Sequence, residues 1–191
     1  MKPWFSESFE EQVDYAVIPA WIGDQPGRIS IAPGVERELI FVDDRGFTFL
    51  EHEVTVDGIR SHYACLRTTG QECPLCARKN CPYQVSLFTV IQTRVVENES
   101  LVRIRNDLRV LAAQPYVASI IRSEKKGKGK LIGFRYTVKR ASDHYDRPGE
   151  VFRSIGRVDL LRYGNPMPFD YRRIFAPLTA QELRELTVEL E

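Results

Sequence analysis

The sequence predicts a mainly β protein: a small, partly open barrel with a metal-binding insert in its first half and a helix at its C-terminus. Three observations predict it. Short strand-like runs separated by turn signals recur from Glu36 onwards, one cysteine cluster interrupts them, and the last residues carry a helix-capping signature.

The elements follow in order. Met1 to Gly34 carries Pro3, Pro19, Pro26 and Pro33, which argues against a long regular element, and Trp4, Phe5, Phe9, Trp21 and Ile22 are expected to tack this arm onto the core. Glu38 to Val42 reads as a strand closed by the turn Asp43-Asp44-Arg45-Gly46, and Phe47 to Leu50 resumes it. Glu51 to Val56 and Ile59 to Leu66 flank Asp57-Gly58, a hairpin signal. Cys65 to Cys81 forms a compact polar insert. Val85 to Val96 reads as a buried strand, answered by Leu101 to Ile104 after Glu97-Asn98-Glu99-Ser100. Leu108 to Ile121 has apolar residues near helical spacing, kinked or split by Pro115. Lys125 to Lys130 reads as a Gly/Lys loop. Leu131 to Lys139 and Val151 to Asp159 are two further strands, joined around His144 and Pro148. Thr179 caps a helix over Ala180 to Leu190, with Glu182 completing a capping box. The expected organisation is an arm over 1–34, a barrel over 35–176 with its insert at about 51–82, and the terminal helix over 177–191.

A chain of 191 residues, 43% hydrophobic, can build one domain with an excursion. Net charge is +1, so any affinity for nucleic acid must come from how charge is distributed. No opening stretch joins a basic start to an apolar run, and no apolar run is long enough to span a bilayer, so a cytoplasmic location without membrane contact is expected. Thiols stay reduced there, which makes clustered cysteines metal ligands or reactive groups before disulfides.

Cys73-Pro-Leu-Cys76 is a knuckle in which two thiolates reach one zinc ion. Cys65 and Cys81 lie close by, and no βαβ pattern surrounds them as a thioredoxin-like redox pair would need. His52, His62 and Cys81 compete for the fourth position. Folding the hairpin about Gly58-Ile59 sets His52 opposite Cys65, whereas His62 points to the other face. This favours His52, Cys65, Cys73 and Cys76, with Cys81 kept as the rival. Four protein ligands leave no open position, so a structural role is expected for one Zn2+ per chain.

The pattern His52-x12-Cys65-x7-Cys73-x2-Cys76 resembles the zinc site of the single-stranded-DNA-binding proteins of T4-type phages. A wider group of short phage single-strand binders is similar in Phe41-Val-Asp-Asp44, Glu51-His52, Phe88-Thr-Val-Ile91, the strand from Gly133-Phe134 to Arg140 and the closing Pro177-Leu-Thr-x-x-Glu-Leu183. The resemblance implies an OB-fold with a zinc insert and a role in replication, recombination or repair of phage DNA. Proteins of those processes, and further copies of the chain on DNA, become candidate partners. Two departures stand out: Cys81 has no counterpart, and in place of a long acidic tail stands only the acidic stretch from Glu182 to Glu191.

Independently, Arg122, Lys125, Lys126, Lys128, Lys130, Arg135, Lys139 and Arg140 fall in one segment with Phe134 and Tyr136 interleaved and Glu124 the single acid. Cations that track phosphates and rings that stack on bases are what sequence-independent single-strand binding needs. Arg94, Arg103, Arg105 and Arg109 form a second basic group, and Arg67, Arg78 and Lys79 decorate the insert. Against this, a Lys/Gly loop is often only solvated, and Phe134 or Tyr136 can equally belong to the core. The expected function is non-catalytic binding of single-stranded DNA, with a zinc-ribbon accessory factor that binds a protein partner as the alternative. Nothing marks an enzyme: His62 and His144 lack a nucleophile signature, and Asp43-Asp44 reads as a turn rather than a metal site.

Overall fold

The computed structural model describes residues 17–22, 25–33, 35–56, 58–97, 100–140 and 151–188. The predicted roles of Trp4, Phe5 and Phe9, the loop around His144, and the last turn at Leu190 lie outside the described residues.

The N-terminal part contributes three two-residue strands, β1 (Ile18–Pro19), β2 (Trp21–Ile22) and β3 (Gln25–Pro26). Then follow β4 (Val35–Phe41), β5 (Phe47–Val56), β6 (Ile59–Ala64), the short helix α1 (Pro74–Ala77), β7 (Tyr83–Glu97), β8 (Ser100–Ala113) and α2 (Pro115–Lys128). The chain closes with β9 (Phe134–Lys139), β10 (Val151–Arg157), α3 (Tyr171–Ile174) and α4 (Ala180–Val188). The main sheet runs β1-β8-β7-β4-β9-β10, with β5 also on β7 and β6 on β5. Pairing is antiparallel except that β1 lies parallel to β8.

Strand β7 organises this sheet. Along one edge it pairs β8; along the other its first half pairs β5 and its second half β4. The two strands are divided by the predicted turn at Asp43 and Asp44, and the side chains of that turn mend the break. Val42 N–H donates to Thr89 O at 3.0 Å, and Thr89 N–H donates to Asp43 Oδ2 at 2.8 Å, so a carboxylate takes the place of a missing strand carbonyl. Gly46 is required here: a Cβ would meet the Phe88 ring at 2.6 Å.

The strands do not curl into the expected partly open barrel. Among the described residues β1, β6 and β10 have no onward strand, and the sheet stays open. Its two faces are covered instead. On one, Leu39, Phe41, Phe88, Val90, Leu111 and Tyr136 pack under α2 and under Ile29 and Ile31 of the arm. On the other, Ile40, Val85, Leu87, Ile91 and Val110 pack under Tyr163, Phe169, Tyr171 and Phe175. Burial on both faces explains why Leu39 to Val42 is one unbroken apolar run.

Three expectations need correction. Leu108 to Ala113 belongs to strand β8, because its apolar residues alternate between two covered faces and so mimic helical spacing; the helix begins at Pro115, which needs no N–H partner there. Lys125 to Lys128 is the last turn of α2, ended by Gly129 at φ 77°, not a loop. The hairpin folds one residue earlier than expected, which shifts the pairing by two and sets His52 opposite Tyr63 rather than Cys65. The capping box is as predicted: Glu182 N–H donates to Thr179 Oγ1 at 3.2 Å, and Thr179 N–H donates to Glu182 Oε2 at 2.7 Å. No helix among the described residues is long and apolar enough to cross a membrane.

Candidate metal centre

The hairpin β5–β6 extends beyond the sheet and has two unlike faces. Leu50, His52, Val54, Tyr63 and Cys65 turn to one side, where Leu66, Cys73, Leu75 and Leu183 complete a small core with α4 across it. The two-residue shift in pairing leaves Cys65 on the same face as His52, one step along the diagonal, so the faces were predicted correctly although the register was not.

The insert between β6 and β7 is built of two tight turns. Thr68 N–H donates to Cys65 O at 3.1 Å in the first, and Thr68 Oγ1 donates to the same carbonyl at 2.7 Å. The knuckle follows, with Pro74 opening α1 and Ala77 N–H donating to Cys73 O at 3.1 Å. These turns deliver the thiols of Cys65, Cys73 and Cys76 to His52, and all four ligand atoms lie within 4.8 Å of one another. Cys73 Sγ stands 3.3 Å and Cys76 Sγ 3.7 Å from His52 Nε2, and Cys65 Sγ is 3.7 Å from Cys76 Sγ. A tetrahedron with metal–sulfur bonds of about 2.3 Å has edges of roughly 3.8 Å, so the four atoms are spaced to share one metal ion.

The groups around the ligands suit this use. Asn80 Oδ1 is 3.2 Å from His52 Nδ1, so that nitrogen carries the hydrogen and Nε2 keeps its lone pair for a metal. Asn80 is itself fixed by donating Nδ2–H to Glu53 O at 3.0 Å. Burial pushes the His52 pKa down, against the pull of Asn80, which keeps the ring neutral. For Cys73, burial raises the pKa, but the amides of Cys76, Leu66 and Leu75 outweigh it and hold the thiol below its usual value. Burial, with the Cys65 and Cys73 thiols beside it, drives Cys76 up to about 12. Cys76 therefore does not ionise beside Cys73 unless a cation shares the site. Cys81 is exposed and lies outside the cluster.

The reverse face of the same hairpin carries a group that the sequence reading passed over. Glu51, fully buried, accepts from both Arg28 Nη1–H and Nη2–H at 2.7 Å. His62 Nδ1 lies 3.6 Å from Glu51 and 3.5 Å from the Tyr83 hydroxyl. Burial, and then the nearby Arg28 charge, lower the His62 pKa to about 4, so this ring is neutral at physiological pH. Burial and then Glu51 raise that of Tyr83. The group lines a cavity of about 770 Å³ with Arg60, Gln114 and Arg140 on its wall. The only signal for it in the sequence is the alternation of Glu51 and His62 with the ligands.

Of the expected DNA-binding residues, Lys128, Phe134 and Tyr136 come together, but in contacts of the fold itself. Lys125 Nζ donates to Asp44 O at 2.8 Å, and Lys128 pairs with Glu124 while lying over the Phe134 and Tyr136 rings. Both lysines are therefore engaged within the fold. Tyr136 is fully buried in the core and is not a stacking platform; Phe134 is half-buried beside it. Lys126 is exposed and Lys130 half-buried. Arg67 is exposed on the insert, and Arg140 borders the cavity. Arg103 and Arg105 belong to β8, and their side chains lie outside the described residues. Asp43 and Asp44 serve the turn: Asp44 Oδ1 accepts from the N–H groups of Leu131 and Ile132, the latter at 3.0 Å.

No protein-family model and no curated protein sequence matches the chain.

Proposed function

We propose that the chain binds single-stranded DNA non-catalytically and largely without regard to sequence, in phage DNA replication, recombination or repair, on a scaffold fixed by one structural zinc. The observation that carries the reading is the arginine-walled cavity behind the metal hairpin. Arg28, Arg60 and Arg140 line it, the first two beside Glu51 and Glu53, with Tyr83, His62 and Gln114 between them. A flexible strand needs such a mix: cations for phosphates, and rings and polar edges for bases that are not held in a duplex.

The phage resemblance supports the same reading, because its four zinc-ligand positions are those whose side chains meet in space. Zinc is the metal of choice: three thiolates and one imidazole are soft donors in tetrahedral array, which disfavours magnesium and calcium. Four protein ligands fill the coordination sphere, so the ion braces the insert. The OB-type reading of the sheet rests on the resemblance, with β6 and β10 as edges that an OB barrel would bring closer.

Fluorescence anisotropy of labelled oligo-dT and a matched duplex, titrated at low and moderate salt, tests the proposal. Tight, salt-sensitive preference for the single strand supports it. Equal or negligible binding to both removes it and leaves the protein-partner alternative.

A further inference from the structure

The clustered thiols differ in their access to solvent. Cys65 is 0% and Cys73 4% exposed, whereas Cys76 is half-buried, so a reagent arriving from solvent meets Cys76 before the other two. Beside Cys76 the sulfur of Cys65 stands at 3.7 Å, van der Waals contact for two sulfurs. A disulfide bond measures about 2.05 Å, so closing that gap asks each sulfur for a movement of roughly 0.8 Å. Cys73 is placed otherwise. Its sulfur lies 3.3 Å from His52 Nε2 and takes hydrogen bonds from the amides of Cys76, Leu66 and Leu75, which hold it in place.

Where the two thiols sit in the chain gives their joining a consequence. Cys65 directly follows β6, and Cys76 lies in α1, across the first tight turn of the insert. A bond between them would keep the insert tied to the hairpin while removing two of the four donors. Cys73 and His52 alone leave half of a tetrahedron to water, too few protein ligands to retain a structural zinc. Cys81 is exposed and stands outside the cluster, so its oxidation leaves the donor set intact.

We propose that Cys76 and Cys65 form a reversible redox site, at which a hydroperoxide oxidises the pair to a disulfide and the metal is released. The Cys76 thiolate attacks one peroxide oxygen, which breaks the O–O bond and leaves a sulfenic acid and one oxyanion. The Cys65 thiolate then attacks the Cys76 sulfur, forms the S–S bond and expels hydroxide. The two sulfurs together give up two electrons, the peroxide takes them, and both leaving anions take protons from solvent. A dithiol reductant reverses the step by exchange at the disulfide and returns both thiolates to the metal. Because the hairpin carries the polar cavity on its reverse face, loss of the metal also loosens the cavity wall. A resulting fall in single-strand affinity rests on the single-strand reading; the redox site itself does not.

Hydrogen peroxide titrated into the zinc-loaded full chain, parent and Cys81→Ala side by side, tests the site. Free zinc is followed with a chelating dye, and the oxidised chain is digested with trypsin without reduction for mass mapping. Arg67 lies between Cys65 and Cys73, so a Cys65–Cys76 bond joins two tryptic peptides whereas a Cys73–Cys76 bond closes a ring within one. Loss of the bound zinc together with the joined pair of peptides is expected, alike in both proteins, and dithiothreitol with fresh zinc is expected to restore the metal content. A chain that takes up no zinc would overturn the proposal. So would zinc retained while Cys81 alone is oxidised, a Cys73–Cys76 bond in place of the expected one, or thiols driven to sulfinic acid with no bond formed. Anisotropy with labelled oligo-dT before oxidation separates the questions. Absence of binding there, with zinc release and the joined peptides intact, would remove the single-strand reading and leave the redox site standing.

Discussion

Glu51 and His52 are neighbours on β5 and point to opposite faces of one hairpin: His52 Nε2 lies 3.3 Å from Cys73 Sγ, while Glu51 holds both N–H groups of Arg28 at 2.7 Å. The metal cluster and the polar cavity are thus two sides of the same two strands. Among the described residues the hairpin beyond Glu51 pairs with no other strand of the main sheet, so its position depends on the small core that the cluster completes and on the Gln25 side chain at His62. Chelation of the metal is expected to loosen the hairpin and with it the cavity wall, read as faster amide exchange in β6 together with loss of single-strand affinity.

The ligand set makes a direct prediction. Cys73→Ser and His52→Ala are expected to lower bound zinc well below one per chain, whereas Cys81→Ala leaves it unchanged, as measured by elemental analysis of the purified protein. Zinc retained in His52→Ala and lost in Cys81→Ala would transfer the fourth position to Cys81.

Arg28 and Glu51 form a buried pair whose partners come from the arm and from β5. Removing one side strands the other, and Glu51 has no exposure to solvent. Arg28→Ala is expected to cost about 3–5 kcal/mol in denaturant unfolding, the usual penalty for an uncompensated buried charge. A loss below about 1 kcal/mol would show that the carboxylate finds other partners.

Asp43 predicts a pH dependence. Burial, only partly offset by the hydrogen bonds from Thr89, raises its pKa from 3.8 to about 7. Between these values the folded chain holds more protons than the unfolded one, so this contribution to stability is complete below about pH 4 and is lost as pH rises through 7. His62 works oppositely: its pKa falls to about 4, so the unfolded chain is the better proton binder below pH 6.5, and stability falls as pH drops. Asp43→Asn keeps an acceptor for Thr89 N–H and removes the first contribution. It is expected to be more stable than the parent by about 2–4 kcal/mol at about pH 8, with the gap closing by about pH 4. Comparing variant and parent at each pH cancels what the metal ligands contribute. A gap that does not vary with pH would refute the assignment.

How much of this was legible in the sequence differs from element to element. The four ligands were readable because spacing and strand alternation are local properties: a register error of two residues leaves every side chain on its face. The start of α2 was misplaced because Leu108 to Ala113 is buried on both faces, and its apolar residues then lose the period of two that marks a strand. Tyr136 and Lys128 looked like a binding surface because basic and aromatic residues were interleaved. In three dimensions the lysine covers the rings, a relation set by the way α2 returns across β9. Arg28 and Glu51 stand 23 positions apart, and only the passage of the arm along β8 brings them together.

On the proposed single-strand reading, Arg60 and Arg140 of the cavity wall meet DNA, whereas Lys125 and Lys128 are held within the fold. Arg60→Ala with Arg140→Ala is expected to weaken oligo-dT binding and to make its salt dependence shallower by about 1.4 in log–log slope, if each arginine meets one phosphate of a single strand. Lys125→Gln and Lys128→Gln remove partners of Asp44 and Glu124 instead, so they are expected to lower the melting temperature while leaving that slope unchanged. Anisotropy titrations at several salt concentrations, paired with thermal melts, separate the two outcomes. A slope altered by the lysine variants and not by the arginine variants would move the DNA path from the cavity to the end of α2.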